Sequence, residues 1–194
     1  MKYLHWTIAF FYILYTSVHL SRLGIGEWAS LLIFSCALLI ARLVFKKNLT
    51  GMFLAGMILG AAVEFITEVY WDYHLNVYIW KDISLFVILG WGYSFSFFVL
   101  ISNFVNRMMN SSKIIPPSNI RILLCDAALA PIWFIPNELI AMKVLHLWDY
   151  SAVSGFTQLI PWINYPLEAV IGSVALGMVM PTFIRHWEYE LRFK

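Results

Sequence analysis

The chain has 194 residues, of which 61% are hydrophobic, 18% aromatic and only 12% charged. Soluble domains carry about 25% charged residues, so this deficit excludes a soluble globular domain, a disordered chain and a coiled coil. A net charge of +2 leaves no electrostatic footprint for nucleic acid. Cys36 and Cys125, both inside apolar blocks, provide neither a disulfide framework nor a zinc spacing. No Walker loop, dinucleotide fingerprint, HExxH or CxxCH occurs, and no cofactor is expected.

A helix needs about 20 mostly apolar residues to cross about 30 Å of hydrocarbon. Six blocks meet that requirement, at 4–20, 28–45, 51–70, 83–105, 120–145 and 164–184, with turn-forming or charged stretches between them. The runs are continuous rather than alternating, which argues against barrel strands. The expected fold is therefore all-α: a polytopic membrane protein with six transmembrane helices in one domain, 1–194. The first block has only Lys2 ahead of it and no small-residue cleavage motif behind it, so it is read as a retained helix.

Orientation follows from the 13 basic residues. One side and its flanking turns hold Lys2, Arg42, Lys46, Lys47, Arg107, Lys113, Arg121, Arg185, Arg192 and Lys194, while the other holds Arg22, Lys81 and Lys143. The positive-inside rule then places both termini in the cytoplasm, in the cell membrane.

The acids carry the chemistry. Glu188 and Glu190 in the tail and Glu27 in a loop are expected as solvated charges. Glu64 stands about 20 Å along its span at 1.5 Å per residue, and Glu68 follows one turn later on the same face. Glu138 and Glu168 reach a similar depth from two other spans, whereas Asp126 stands near the opposite end. A carboxylate facing lipid is costly, so these groups should face the bundle interior, paired or neutral. Two carboxyls in one dry cavity repel, so one is expected to hold its proton. Glu64, Glu138 and Glu168 are expected to line one cavity, open to structural hydrogen bonding, acid–base chemistry, ion passage or metal ligation. For Glu68, Asp72 and Asp82 a salt bridge with Lys81 is the simpler expectation. The five histidines sit at span ends or in a loop, no two of them at i,i+3 or i,i+4, so no haem or di-iron box is expected.

The tripeptide Trp-Asp-Tyr occurs twice, at 71–73 and 148–150. Each copy follows an acid-bearing span and precedes another span, so 51–105 and 120–184 form a loose repeat of two hairpins. Most tryptophans and tyrosines suit an interfacial aromatic belt. Trp91, Tyr93 and Trp133 lie deeper, and Pro131 and Pro136 are read as breaking the 120–145 span. Aromatics, acids and a broken helix at one depth suggest a pocket for a long apolar ligand with a polar handle.

The run from Glu64 through Trp71-Asp72-Tyr73 to Trp91 resembles the first half of bacterial and archaeal carotenoid 1,2-hydratases. Asp126-Ala-Ala-Leu-Ala-Pro131, Trp148 and Ile160-Pro161-Trp-Ile-Asn164-Tyr165 are similar to that family's second half, with Ala130 where the family has a second aspartate. The resemblance covers about half the chain. It implies protonation of a terminal isoprenoid double bond by a carboxylic acid, then capture of the cation by water; cyclisation is closely related chemistry. Glu64, Glu138 and Glu68 are the candidate catalytic residues. Trp91, Tyr93, Trp133, Glu168, Asn164, Trp71 and Trp148 are the candidate substrate-binding residues, since aromatic faces stabilise cations. Membrane lipids and an isoprenoid-type ligand are the expected partners. A scaffold subunit and a proton or cation transporter are the competing readings.

Overall fold

In a computed structural model, residues 26–43, 49–110, 119–152 and 154–193 are described. Among them are five α-helices: α1 (Gly26–Leu43), α2 (Thr50–Thr67), α3 (Leu85–Asn110), α4 (Ile120–Lys143) and α5 (Leu167–Phe193). The last four, α2 with its 3-10 extension Glu68–Tyr70, are long and apolar enough to cross a membrane. Only 22% to 44% of each spanning window is buried inside the protein. Their outward faces carry exposed Ile58, Phe104, Leu124, Ile132, Ile171 and Val179. Apolar surface on that scale suits lipid rather than water, and this is the architecture of a multi-pass membrane protein.

The expected span 4–20 lies outside the described residues. The expected span 28–45 is helical from Gly26, but its apolar run among the described residues, Leu31–Leu43, is short for a crossing. The connections depart from an all-helical reading, because they contain six short strands in three antiparallel pairs. β1 (Trp71–Tyr73) pairs with β4 (Trp148–Tyr150), β2 (Tyr78–Trp80) with β3 (Ile83–Ser84), and β5 (Leu159–Ile160) with β6 (Tyr165–Pro166). Nor does α4 break at its prolines: the helix runs through Pro131 and Pro136 to Lys143. Asn119 caps its start, accepting from the Ile122 N–H at 2.9 Å.

The loose repeat takes physical form here. Each half is a long helix, a Trp-Asp-Tyr strand, a small β-hairpin and a second long helix that starts directly after the hairpin. Within each half a small residue lets the two helices close together. A Cβ on Gly60 of α2 would stand 2.1 Å from the Trp91 Cβ of α3, and one on Gly177 of α5 would stand 2.2 Å from the Ala130 Cβ of α4. Lipid supplies no hydrophobic drive between helices, so close van der Waals packing at small residues has to supply it. The Gly56-xxx-Gly60 spacing marks that contact, with Gly56 against the backbone of Gly92. Phe95, Phe98, Val99, Phe134 and Ile184 fill the centre of the bundle.

Candidate functional site

The two Trp-Asp-Tyr copies pair with each other, Trp71 opposite Tyr150, Asp72 opposite Asp149 and Tyr73 opposite Trp148. Residues directly opposite on antiparallel strands share a face, and alternate residues switch faces. The four rings therefore share one side and the two aspartates the other. Trp71 lies 5.1 Å from the Tyr150 ring and Trp148 lies 6.0 Å from the Tyr73 ring, so each tryptophan covers the tyrosine of the other half. On the aspartate side, His74 Nε2 lies 3.2 Å from Asp149 Oδ2.

Each tyrosine reaches back to the glutamate of its own half. The Tyr73 hydroxyl donates to Glu64 Oε2 at 2.5 Å, and the Trp91 indole N–H donates to Glu64 Oε1 at 2.5 Å. In the second half the Tyr150 hydroxyl donates to Glu138 Oε2 at 3.5 Å, and Tyr165 of β6 donates to the same oxygen. Glu64 is 2% exposed and Tyr165 fully buried. Burial holds the Tyr73 hydroxyl far above the ordinary phenol range, and repulsion from Glu64, then Glu138, adds to it. Burial, followed by repulsion from Glu138, does the same for Tyr150 and Tyr165. These phenols therefore stay protonated and act as fixed donors. Glu64 and Glu138 are thus linked through the β1–β4 ladder, which carries both Tyr73 and Tyr150. Among the described residues neither glutamate has an ion-pair partner.

Of the expected site residues, Glu64, Glu138, Trp91, Trp71 and Trp148 come together in this way, and the others go elsewhere. Glu68 sits at the edge, its carboxylate 3.5 Å from Lys81 Nζ, which is the salt bridge expected for it. Tyr93 is two residues from Trp91, about 200° around the helix. It stacks on Phe34 at 4.3 Å and touches Phe53, away from the glutamates, so it is not on a wall shared with Trp91. Trp133 donates to Ser94 Oγ at 3.1 Å, tying α4 to α3. Glu168 does not join the other two acids. Its Oε1 accepts from the Thr157 N–H and hydroxyl, both at 3.2 Å, and so closes its own loop. Asn164 takes a left-handed backbone, φ 49°, in the exposed turn of the β5–β6 hairpin, a conformation asparagine tolerates.

Sequence reasoning missed Tyr73, Tyr150 and Tyr165 as donors, although for the first two the repeated tripeptide was the signal. It also misjudged two charges. Glu27 is not a solvated charge: it is 3% exposed, and its Oε1 accepts from the backbone N–H groups of Asn76 and Val77. Arg185 is not a flanking surface charge, and Asp126, near the opposite end of its helix as expected, is the acid it pairs with. Arg185 Nη1 donates to Asp126 Oδ2 at 2.6 Å and Nη2 to Oδ1 at 3.1 Å, with both residues buried. Arg185 also donates to Asn103 Oδ1 at 2.9 Å and to Ser102 Oγ at 2.5 Å, and Ser102 donates on to Asp126. This second cluster joins α3, α4 and α5 at the end of the bundle away from the strands. Among the described residues, no three His, Cys, Asp or Glu side chains gather as metal ligands.

No protein-family model, no curated protein and no solved structure matches the chain.

Proposed function

We propose that this protein is an integral-membrane enzyme that protonates a double bond of a long apolar, isoprenoid- or carotenoid-like lipid, leading to hydration or cyclisation. The observation that carries the reading is that Glu64 and Glu138, linked through the paired strands, are held by phenol and indole donors, with no ion-pair partner among the described residues. A carboxyl locked to an arginine is a poor acid; one held by neutral donors can bind and release a proton. In the proposed reaction the Glu64 O–H bond breaks and its proton forms a C–H bond with one alkene carbon. The cation left on the more substituted carbon lies against aromatic faces, with Trp91 foremost. For hydration, water bonds to that carbon and loses a proton to Glu138, and proton return from Glu138 to Glu64 closes the cycle.

Extraction of lipids from the purified protein, followed by mass spectrometry, tests the ligand class. A bound polyene or other isoprenoid is the expected result. The acid is tested by Glu64→Gln, which keeps size and hydrogen bonding but removes the proton, so turnover should fall by about 10² or more. Equal turnover removes Glu64 from the mechanism. A second reading, a non-catalytic scaffold, has its own support: both Glu64 oxygens are already engaged by ring donors, as in a structural clamp. Absence of bound lipid and of any conversion across a polyene panel favours that reading.

For orientation, we propose that the strand end faces outward and that both termini are cytoplasmic. With Arg185 neutralised inside the bundle, nine basic residues still oppose three. In intact cells a cysteine replacing Asn76 should react with an impermeant reagent and one replacing Ser111 should not. The reverse pattern inverts the topology.

A further inference from the structure

The two β-hairpins take no part in the acid cluster except through Tyr165, yet they present the most exposed aromatic surface near the site. Trp162, at the tip of β5–β6, is 95% exposed, beside exposed Leu159. Val77 and the three residues of β2, Tyr78, Ile79 and Trp80, are all exposed. Both hairpins run without a linker into spanning helices: Ser84 is followed by Leu85 of α3, and Pro166 by Leu167 of α5. Trp162 lies five positions before Leu167, and at no more than about 3.6 Å per residue its Cα stays within about 18 Å of the start of α5.

A lysine also stands at each hairpin, Lys81 within the first and Lys143 reaching the second from the end of α4. Lys81 Nζ lies 4.6 Å from the centre of the Trp80 ring. Lys143 donates to the carbonyl of Ile163, the neighbour of Trp162. The Trp80 ring in turn packs 4.9 Å from Phe65, an exposed residue of α2, so it continues the outward apolar flank of a span rather than the bundle axis. An indole with an adjacent ammonium matches the level of a bilayer where acyl chains meet carbonyls and phosphates.

We propose that the two hairpins are membrane-interface anchors, Trp80 with Lys81 and Trp162 with Lys143, that embed in the headgroup–acyl boundary of the lipid surface. They hold the end of the bundle that carries the paired Trp-Asp-Tyr strands at a set depth. The proposal does not depend on the chemistry of Glu64.

The test uses the full chain with Cys36→Ala and Cys125→Ala, spin-labelled one position at a time through Trp80→Cys, Trp162→Cys, Leu159→Cys or Ala152→Cys. Each variant is reconstituted in vesicles of phosphatidylcholine and phosphatidylglycerol. Collision with oxygen is compared with collision with a water-soluble nickel chelate. Labels at 80, 159 and 162 should favour oxygen by about threefold or more over the label at exposed Ala152, as an interfacial depth requires. Ratios equal to that at Ala152 place the hairpins in water and overturn the proposal. Shielding from both colliders overturns it in favour of a second copy of the chain or another protein. Leu159→Cys reports on the same hairpin should Trp162→Cys fail to fold.

Discussion

Along α4, two acids twelve positions apart find opposite solutions to the same problem. Asp126 meets a guanidinium in a bidentate pair, backed by Ser102 and Asn103. Glu138 meets only phenols, and its counterpart Glu64 a phenol and an indole. The first arrangement satisfies charge with charge and ties three helices together. The second satisfies hydrogen bonds and leaves charge uncompensated, so its protonation can change without breaking an ion pair. A membrane protein pays for an intramembrane charge unless it is paired; leaving two acids unpaired at one end is the costlier design, which is why function is sought there.

The comparison breaks most sharply at Asp126. Asp126→Leu strands Arg185 in the bundle, with an expected loss of about 3–5 kcal/mol, seen as a lowered unfolding midpoint in detergent. Adding Arg185→Met should recover most of that loss, and no recovery would mean that the pair is not the organising contact. At the other end the tightest feature is steric. Gly60→Val drives methyl groups into the Trp91 side chain and should cost about 1–3 kcal/mol, with Trp91 pushed off Glu64 and its fluorescence shifted. Glu64→Gln leaves no stranded cation. It should change stability by less than about 1 kcal/mol, the scale of one net hydrogen bond, and a loss as large as that of Asp126→Leu would erase the distinction between the clusters.

The smallest effect is one of pH. Tyr73, Tyr150 and Tyr165 have hydroxyls raised above the phenol range, first by burial and then by the nearby carboxylates. An unfolded tyrosine titrates near pH 10. The stabilisation these groups lend is therefore complete below that value and is lost as pH rises beyond it. Hydrogen exchange should quicken at the Glu138 end of α4 before the Asp126 end as pH is raised past about 10, and Tyr150→Phe should weaken that difference.

The membrane class, four spans to within a few residues at most of their ends, the two-hairpin repeat and the position of Glu64 and Glu138 toward the strand ends of their helices were legible in the chain itself. These depend on one-dimensional quantities: hydropathy over the length of a bilayer, the spacing of punctuation, and the cost of an acid inside an apolar run. Partner choice depends on rotation about each helix and on register between strands, which no single segment encodes. Trp91 and Tyr93 read alike in sequence, but about 200° of helical rotation sends one to Glu64 and the other to Phe34. Arg185 reads as a flanking charge, but 59 positions separate it from the carboxylate that it meets. The repeated Trp-Asp-Tyr was visible as a repeat, but only the fold lays one copy antiparallel on the other with aspartate facing aspartate. Pairing between distant segments is settled by how the helices pack, because in lipid the close fit at Gly60 and Gly177 determines which faces meet.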